Sequence, residues 1–308
     1  MSIIEVENIT KNYGTVQALD DISFEVSKKS IVGFLGPNGA GKTTTIGILM
    51  QFIYQDSGTV RLFEQDVATM IPQLKQRVGL ISDSSLPEIT GYKLLKHTGR
   101  YGGLRGKELE DRVTSMVQVV GAQSFYERPT QTLSKGQKQR IKIANALMND
   151  PELIIADEPT AGLDPLSRRE FLNLIENLVE NHGKTVFFSN HVISEIEKIC
   201  DELIILADGK IVNQGSMREI ISGLPPSNTY SVFAEGITPE QIRTLTNVEE
   251  VSIARNGEYI IKTRETNKHT PEFLREMIED QSVSINYFSR EQVDLEDLFL
   301  EVTNHGRN

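Results

Sequence analysis

The chain has 308 residues, 32 of them basic and 43 acidic, giving a formal charge of −11. Hydrophobic residues make up 38% and charged residues 24%, ordinary globular usage that argues against disorder and against a disulfide miniprotein. One cysteine, Cys200, excludes an intrachain disulfide and any multi-cysteine metal site, and a pI near 5.1 argues against broad binding to a phosphate backbone. The single cysteine suits a reducing compartment without proving it. No apolar run approaches the roughly 20 residues of a membrane span. Met1-Ser2-Ile3-Ile4-Glu5 lacks the basic and apolar regions of a secretory signal.

Residues 1–223 read as one layered α/β domain. Segments around Ile3–Val6 and Ile22–Val26 alternate polar and apolar, as half-exposed antiparallel strands do. Ile31–Leu35, Leu153–Ala156 and Thr185–Phe188 are continuous apolar runs, each followed by a helical stretch. Strands buried on both faces lose their alternation, so these runs predict a mostly parallel central sheet. Two prolines in Gly223-Leu224-Pro225-Pro226-Ser227 break the pattern. Residues 224–308 then predict a small α+β domain of ferredoxin-like kind. Its expected order is strand Thr229–Ala234, helix Pro239–Leu245, strands Glu250–Ala254 and Tyr259–Thr263, helix Pro271–Glu279 and strand Val283–Phe288. Asn256-Gly257 marks a hairpin turn. Leu295, Leu298, Phe299 and Val302 give one apolar face to a closing helix. Acidity is uneven along the chain: the final 93 residues hold 9 basic and 16 acidic side chains.

Gly36-Pro37-Asn38-Gly39-Ala40-Gly41-Lys42-Thr43 fits G-x-x-x-x-G-K-[ST] between an apolar strand and a helix. Glycines let backbone N–H groups wrap phosphate oxygens, and the helix N-terminus adds positive potential. Lys42 is placed to reach the β- and γ-phosphates, and the Thr43 hydroxyl to ligate Mg²⁺. Leu153-Ile154-Ile155-Ala156-Asp157-Glu158 is an apolar strand ending in two carboxylates. Asp157 is expected to hold Mg²⁺ and Glu158 to accept the proton of an attacking water.

With these motifs in order, the sequence resembles the ATP-binding-cassette (ABC) ATPases. Leu133-Ser134-Lys135-Gly136-Gln137 is similar to the family's LSGGQ signature, and Glu158-Pro159-Thr160-Ala161-Gly162-Leu163-Asp164 to the segment reaching its D-loop. His191, in Ser189-Asn190-His191, matches the switch histidine, and Tyr13, in Lys11-Asn12-Tyr13-Gly14, the aromatic that stacks on adenine. The resemblance covers residues 1–215. It implies a P-loop NTPase cassette with a mostly parallel sheet, an antiparallel N-terminal β subdomain and a helical subdomain. It also implies ATP and Mg²⁺ as cofactors, ATP being held by Tyr13, Gly36 through Thr43, and Thr44. Ser134, Lys135, Gly136 and Gln137 would then contact ATP held by a second cassette, a homodimer or heterodimer partner. Ser134 also has the character of a helix N-cap. His191 would hold the γ-phosphate side, and Asp164 would communicate across the interface.

Two departures stand out. Lys135 replaces the usual third-position glycine of the signature, where a cation could help anchor phosphate. Asp83, in Val78-Gly79-Leu80-Ile81-Ser82-Asp83, stands where the family has a glutamine. Its carboxylate either contacts the metal or merely starts the loop, and it cannot donate a hydrogen bond when ionised. Pro87–Tyr101 is expected to face a membrane partner.

Lys135-Gly136-Gln137-Lys138-Gln139-Arg140 and the closing Leu295–Thr303 segment resemble the exporter branch that includes daunorubicin- and bacitracin-resistance ATPases. The expected function is the ATPase subunit of an exporter for a drug, peptide or lipid-like compound. It would work peripherally on the cytoplasmic face of the membrane with separate permease subunits, and no nucleic acid is expected. The competing reading is a soluble cassette acting on nucleic acid or the ribosome; the acidic balance disfavours it, as does the lack of a second cassette or zinc-binding cysteine pairs. The C-terminal domain would support dimerisation or partner docking, with ligand sensing as the alternative.

Overall fold

A computed structural model describes residues 2–69, 76–223, 227–264, 270–291, 295, 296, 298 and 299. The chain divides into two compact units after Ile220.

The first unit holds two sheets. In one, β1 (Ser2–Tyr13) and β2 (Val16–Ser27) form a long antiparallel hairpin, and β4 (Ser57–Leu62) and β5 (Gln65–Asp66) complete the order β2-β1-β4-β5. Both hairpin strands outrun the segments that alternate in sequence. The reason is local: Asn8 and Asp21 take φ of 51° and 54°, the register shifts between Val6 and Ile9, and the alternation changes phase there. Asn8 donates to Asp21 Oδ1 at 2.9 Å, so the irregularity is pinned across the strands.

The second sheet has order β10-β9-β3-β8-β7-β6. β3 (Ile31–Leu35), β6 (Val78–Ile81), β7 (Leu153–Ala156), β8 (Thr185–Asn190) and β9 (Glu202–Ala207) are parallel, and β10 (Lys210–Ser216) closes one edge antiparallel. Every residue of β3, β7 and β8 is buried, as their unbroken apolar runs require. Phe24 of β2 stacks on Phe187 of β8 at 5.8 Å, and Phe34 of β3 lies 5.2 Å from Phe187. This triad joins the two sheets; each such pair adds about 0.5–1.5 kcal/mol beyond area burial.

Helices follow the parallel strands: α1 (Lys42–Leu49) after β3, α5 (Pro165–Glu180) after β7 and α6 (Ile193–Ile199) after β8. Between β6 and β7 lie α2 (Gly91–Tyr101), α3 (Gly106–Val119) and α4 (Lys135–Leu147). Arginines terminate two of them. Arg112 donates to the Leu147 and Met148 carbonyls at the end of α4, and Arg140 to the Val120 carbonyl at the end of α3.

The second unit is a four-stranded antiparallel sheet, order β12-β13-β11-β14, from β11 (Thr229–Glu235), β12 (Val248–Ile253), β13 (Tyr259–Thr263) and β14 (Ser284–Arg290). With α7 (Pro239–Arg243) and α8 (Glu272–Glu279) interleaved, this is the βαββαβ order of a ferredoxin-like unit. Ile242, Phe273 and Met277 meet Tyr230, Val232 and Ile261 in its core. The hairpin turn differs from a two-residue Asn-Gly turn. Gly257 N donates to Ala254 O and takes φ +87°, so Arg255-Asn256 form the turn and Gly257 the bulge after it. The closing helix expected from Leu295 to Val302 lies largely outside the described residues.

Gly58 of β4 shows how tightly the hairpin irregularity is built. Its φ is +89°, and a Cβ there would stand 2.4 Å from the Asn8 carbonyl oxygen and 2.5 Å from that of Glu7. Both are main-chain oxygens of β1, which cannot rotate away as a side chain could. Gly58→Ala is therefore expected to cost at least the roughly 1–3 kcal/mol of backbone strain, read as a fall of several degrees in calorimetric Tm; an unchanged Tm would contradict the packing described.

Candidate nucleotide site

The phosphate loop runs from β3 into α1. Gly41, at the α1 N-cap position, has φ +111°, and a Cβ there would lie 2.7 Å from the Ala18 carbonyl oxygen; only glycine fits. No side chain caps α1, and its first turn holds no acidic residue, so its leading N–H groups are open to an anion. Lys42 is 5% exposed, and its Nζ donates to the Gly36 carbonyl at 2.7 Å and the Pro37 carbonyl at 3.1 Å. Asn38, Gly39 and Thr43 are exposed, Thr44 is half-buried and Ala40 is buried.

β7 delivers the two carboxylates. Ser189, on β8, ties them to the neighbouring strand: its hydroxyl donates to Asp157 Oδ1 at 2.7 Å and accepts from Glu158 N at 2.9 Å. Glu158 takes φ 43°, a left-handed conformation that a side chain rarely adopts and that clusters at functional sites. Its Oε1 lies 3.3 Å from Lys42 Nζ and its Oε2 3.3 Å from His191 Nδ1. The fold thus brings together three predicted residues from three segments. Glu158 is half-buried, while His191 is 44% exposed, so the cluster opens to solvent on the histidine side.

Among the described residues no group of three or more His, Cys, Asp or Glu side chains could hold a metal ion alone. A metal here would draw on the Asp157 carboxylate, the Thr43 hydroxyl and oxygens of the nucleotide. Such hard donors, few of them from protein, fit Mg²⁺. Asp83, in the loop after β6, lines a cleft of about 750 Å³ together with Lys135, Lys138 and Lys142. Lys142 donates to the Ser82 carbonyl at 2.9 Å; burial pulls its pKa below the usual lysine value, opposed by the Asp83 charge.

The signature segment opens α4. Ser134 is its N-cap, and Ser134 and Gln137 form a reciprocal capping box, with Gln137 N to Ser134 Oγ at 3.2 Å and Ser134 N to Gln137 Oε1 at 3.0 Å. Lys135 lies over the turn at Gly162, where a Cβ would come within 2.8 Å of its Nζ. Gly136 packs on Ser167, whose Oγ would be 2.5 Å from a Cβ. Asp164 caps α5, accepting from Leu166 N, Ser167 N and the Ser167 hydroxyl. Those bonds, Ser167's above all, hold its carboxyl below the usual carboxylate range. The signature and the Asp164 turn therefore form one contiguous surface. Tyr13, at the end of β1, is 48% exposed, with the Lys11 ammonium 5.4 Å from its ring centre, so a face remains open for stacking.

Sequence reading assigned no role to Ser189, Asn190, Thr160 or Glu195, all part of this region. Ser189 and Asn190 carried a signal, since both precede His191 directly. Glu195 carried less: a carboxylate beside Ile196 on a short helix reads as solvated, yet it is 2% exposed.

The family model for ABC transporters matches residues 19–161. The Nod factor export ATP-binding protein I of Cupriavidus metallidurans is 31% identical over 304 residues, covering 98% of this chain and 97% of that protein. The bacitracin transport ATP-binding protein of Enterococcus faecalis is 37% identical over 220 residues, covering 71% and 70%. Among solved structures, a dimeric ATP-binding cassette in a post-hydrolysis state, bound to ADP and Pi, aligns with TM-score 0.64 and 25% identity over 70% of this chain and 99% of that one. Among the described residues no helix is long and apolar enough to cross a membrane. Phosphate loop, paired carboxylates, signature and fold agree with these likenesses: the chain belongs to the ABC transporter family, as an ATP-binding subunit that hydrolyses ATP to power transport.

Proposed function

We propose that this subunit energises an exporter of a drug, peptide or lipid-like compound, working through separate membrane permease subunits on the cytoplasmic face of the membrane. The observation that carries the ATPase half is the clasp of Glu158 between Lys42 and His191. Export is supported by relatives named for Nod factor export and bacitracin transport, the first matching along 98% of this chain.

The residues divide the work as follows. Lys42 leaves the Gly36 and Pro37 carbonyls and Glu158 for the β- and γ-phosphates, because a polyanion competes better for a buried ammonium than neutral carbonyls do. Phosphate oxygens also meet the uncapped N–H groups of α1, and Tyr13 stacks on the adenine. Thr43 and Asp157, with Asp83 as a third candidate, would hold Mg²⁺, which would supply charge to offset the phosphates. Glu158, freed from Lys42, accepts the proton of the attacking water, and His191 holds the γ-phosphate side. Ser134, Lys135, Gly136 and Gln137 complete the site of a second cassette, and Asp164, beside them, reports across that interface. Residues 224–308 form an accessory domain that supports dimerisation or partner docking.

Three outcomes are expected. Glu158→Gln lowers ATP turnover by about 10²–10⁴-fold, the usual share of a general base, with nucleotide binding intact and an ATP-bound dimer accumulating in size-exclusion chromatography; wild-type turnover would remove the base assignment. Lys42→Ala weakens binding of a fluorescent ATP analogue by about 10–100-fold, the equivalent of a lost charged hydrogen bond. Affinity purification from membranes recovers an integral membrane protein. Recovery of ribosomes or DNA alone would favour a nucleic-acid function over transport.

A further inference from the structure

Glu195, on α6, is a carboxylate buried to 2% exposure, outside the groups assigned to ATP or metal. Its Oε2 accepts from Thr160 Oγ1 at 2.6 Å and from Asn190 Nδ2 at 2.7 Å. Its Oε1 lies 3.0 Å from Arg168 Nε, an ion pair too poorly aligned to be a hydrogen bond, so that oxygen lacks a hydrogen-bond partner among the described residues. A buried carboxylate with one oxygen under-satisfied is a poor source of stability, because desolvation offsets most of what the single cation returns. Such a group calls for another explanation.

Its partners supply one. Thr160 lies two residues past Glu158, with only Pro159 between them. Proline fixes its own φ, so an anchored Thr160 restrains the left-handed backbone at Glu158. Asn190 immediately precedes His191, and its Oδ1 accepts from His191 N at 2.7 Å and Val192 N at 3.0 Å. Asn190 thereby fixes the histidine's backbone with one end and holds Glu195 with the other. Arg168 sits in the first turn of α5, and its N–H bonds the carbonyl of Asp164. One carboxylate therefore joins the segment after Glu158, the segment before His191 and the helix start that carries Asp164.

We propose that Glu195 is a positioning residue for hydrolysis: its buried carboxylate sets the separation of Glu158 and His191 and ties both to the Asp164 turn. This rests on the assignment of Glu158 and His191 as the hydrolytic pair. Neither Thr160 nor Asn190 can replace it, since the hydroxyl and the amide both present donors to the same oxygen. Water attack depends on placement within about an ångström, where a misfit costs roughly 10²-fold in rate. The phosphate loop meets this network only through the backbone, where Gly36 N donates to the Asn190 carbonyl at 3.3 Å, and none of its residues bonds Glu195, so the effect falls on turnover far more than on nucleotide affinity.

The test uses the full-length chain, with steady-state ATPase and binding of a fluorescent ATP analogue measured side by side. Glu195→Ala is expected to lower kcat by about 10–100-fold while affinity for the analogue stays within about twofold. Glu195→Gln keeps the shape and, with its oxygen turned to Thr160 and Asn190, the one acceptor they share, but it turns an amide donor to Arg168. It should fold as the wild type does and show an intermediate kcat. Thr160→Val lowers kcat in the wild-type background and adds nothing in Glu195→Ala, because both act through one contact. A wild-type kcat in both Glu195 variants, multiplicative losses with Thr160→Val, or affinity falling as far as kcat would each overturn the proposal. Glu158→Gln run in parallel separates the two readings: its retaining wild-type turnover overturns the hydrolytic pair itself, whereas a slow Glu158→Gln beside fast Glu195 variants overturns only the positioning role.

Discussion

The first unit is organised around a carboxylate with a lysine ammonium on one side and an imidazole on the other. Glu158 lies 3.3 Å from both Lys42 and His191, and each of the three residues enters from a different strand of the parallel sheet. β3, β7 and β8 are adjacent in that sheet and wholly buried, so their C-terminal ends emerge side by side. Ligand sites of open parallel sheets form at such ends because the loops there are free of sheet pairing and helix N-termini point toward them. The lysine meets the loop carbonyls and Glu158. In the proposed mechanism, phosphate exchanges those partners for stronger ones, so the same contact couples nucleotide entry to release of the base.

Capping bonds give the signature region its rigidity. Ser134 and Gln137 bond each other's backbone, and Asp164 holds three donors of the α5 start. Gly136 leaves no room between the two helix starts, while Lys135 fills the space over Gly162. A pre-ordered surface results, and if the proposed second cassette closes on it, that order lowers the side-chain entropy lost on closing. The lysine in place of the family's usual glycine fits this packing because its long stem lies along a glycine turn.

Much of this was legible before any coordinates. The phosphate loop, the strand-end carboxylates, the buried strands and the βαββαβ order of the second unit all follow from short-range patterns. Gly41 stands where the phosphate-loop pattern calls for glycine, although the Ala18 carbonyl that excludes a Cβ there is a tertiary contact, and Ser134 announces a helix start. Less visible were the bulges at Asn8 and Asp21, because each is defined by its partner across the hairpin. The turn at Arg255-Asn256 was displaced by one residue from the Asn-Gly pair for a similar reason: strand register, set by the whole sheet, decides which residue takes the left-handed position.

The acidic balance that first argued against broad phosphate binding is compatible with a local anion site, because field at a helix N-terminus and one buried lysine act over a few ångströms and net charge does not. Sequence by itself determined which groups could do phosphate chemistry, since residue type and spacing fix donors, acceptors and backbone freedom. Tertiary structure decided which of them meet. Glu158 and His191 are 33 positions apart, and Glu195 joins segments on either side of them through a contact that no periodicity encodes. Burial, too, was decided there: Glu195 reads as a surface charge along the chain, and only the packing of α6 against β3 and α5, with Asn190 of β8 bonding the carboxylate, removes it from water.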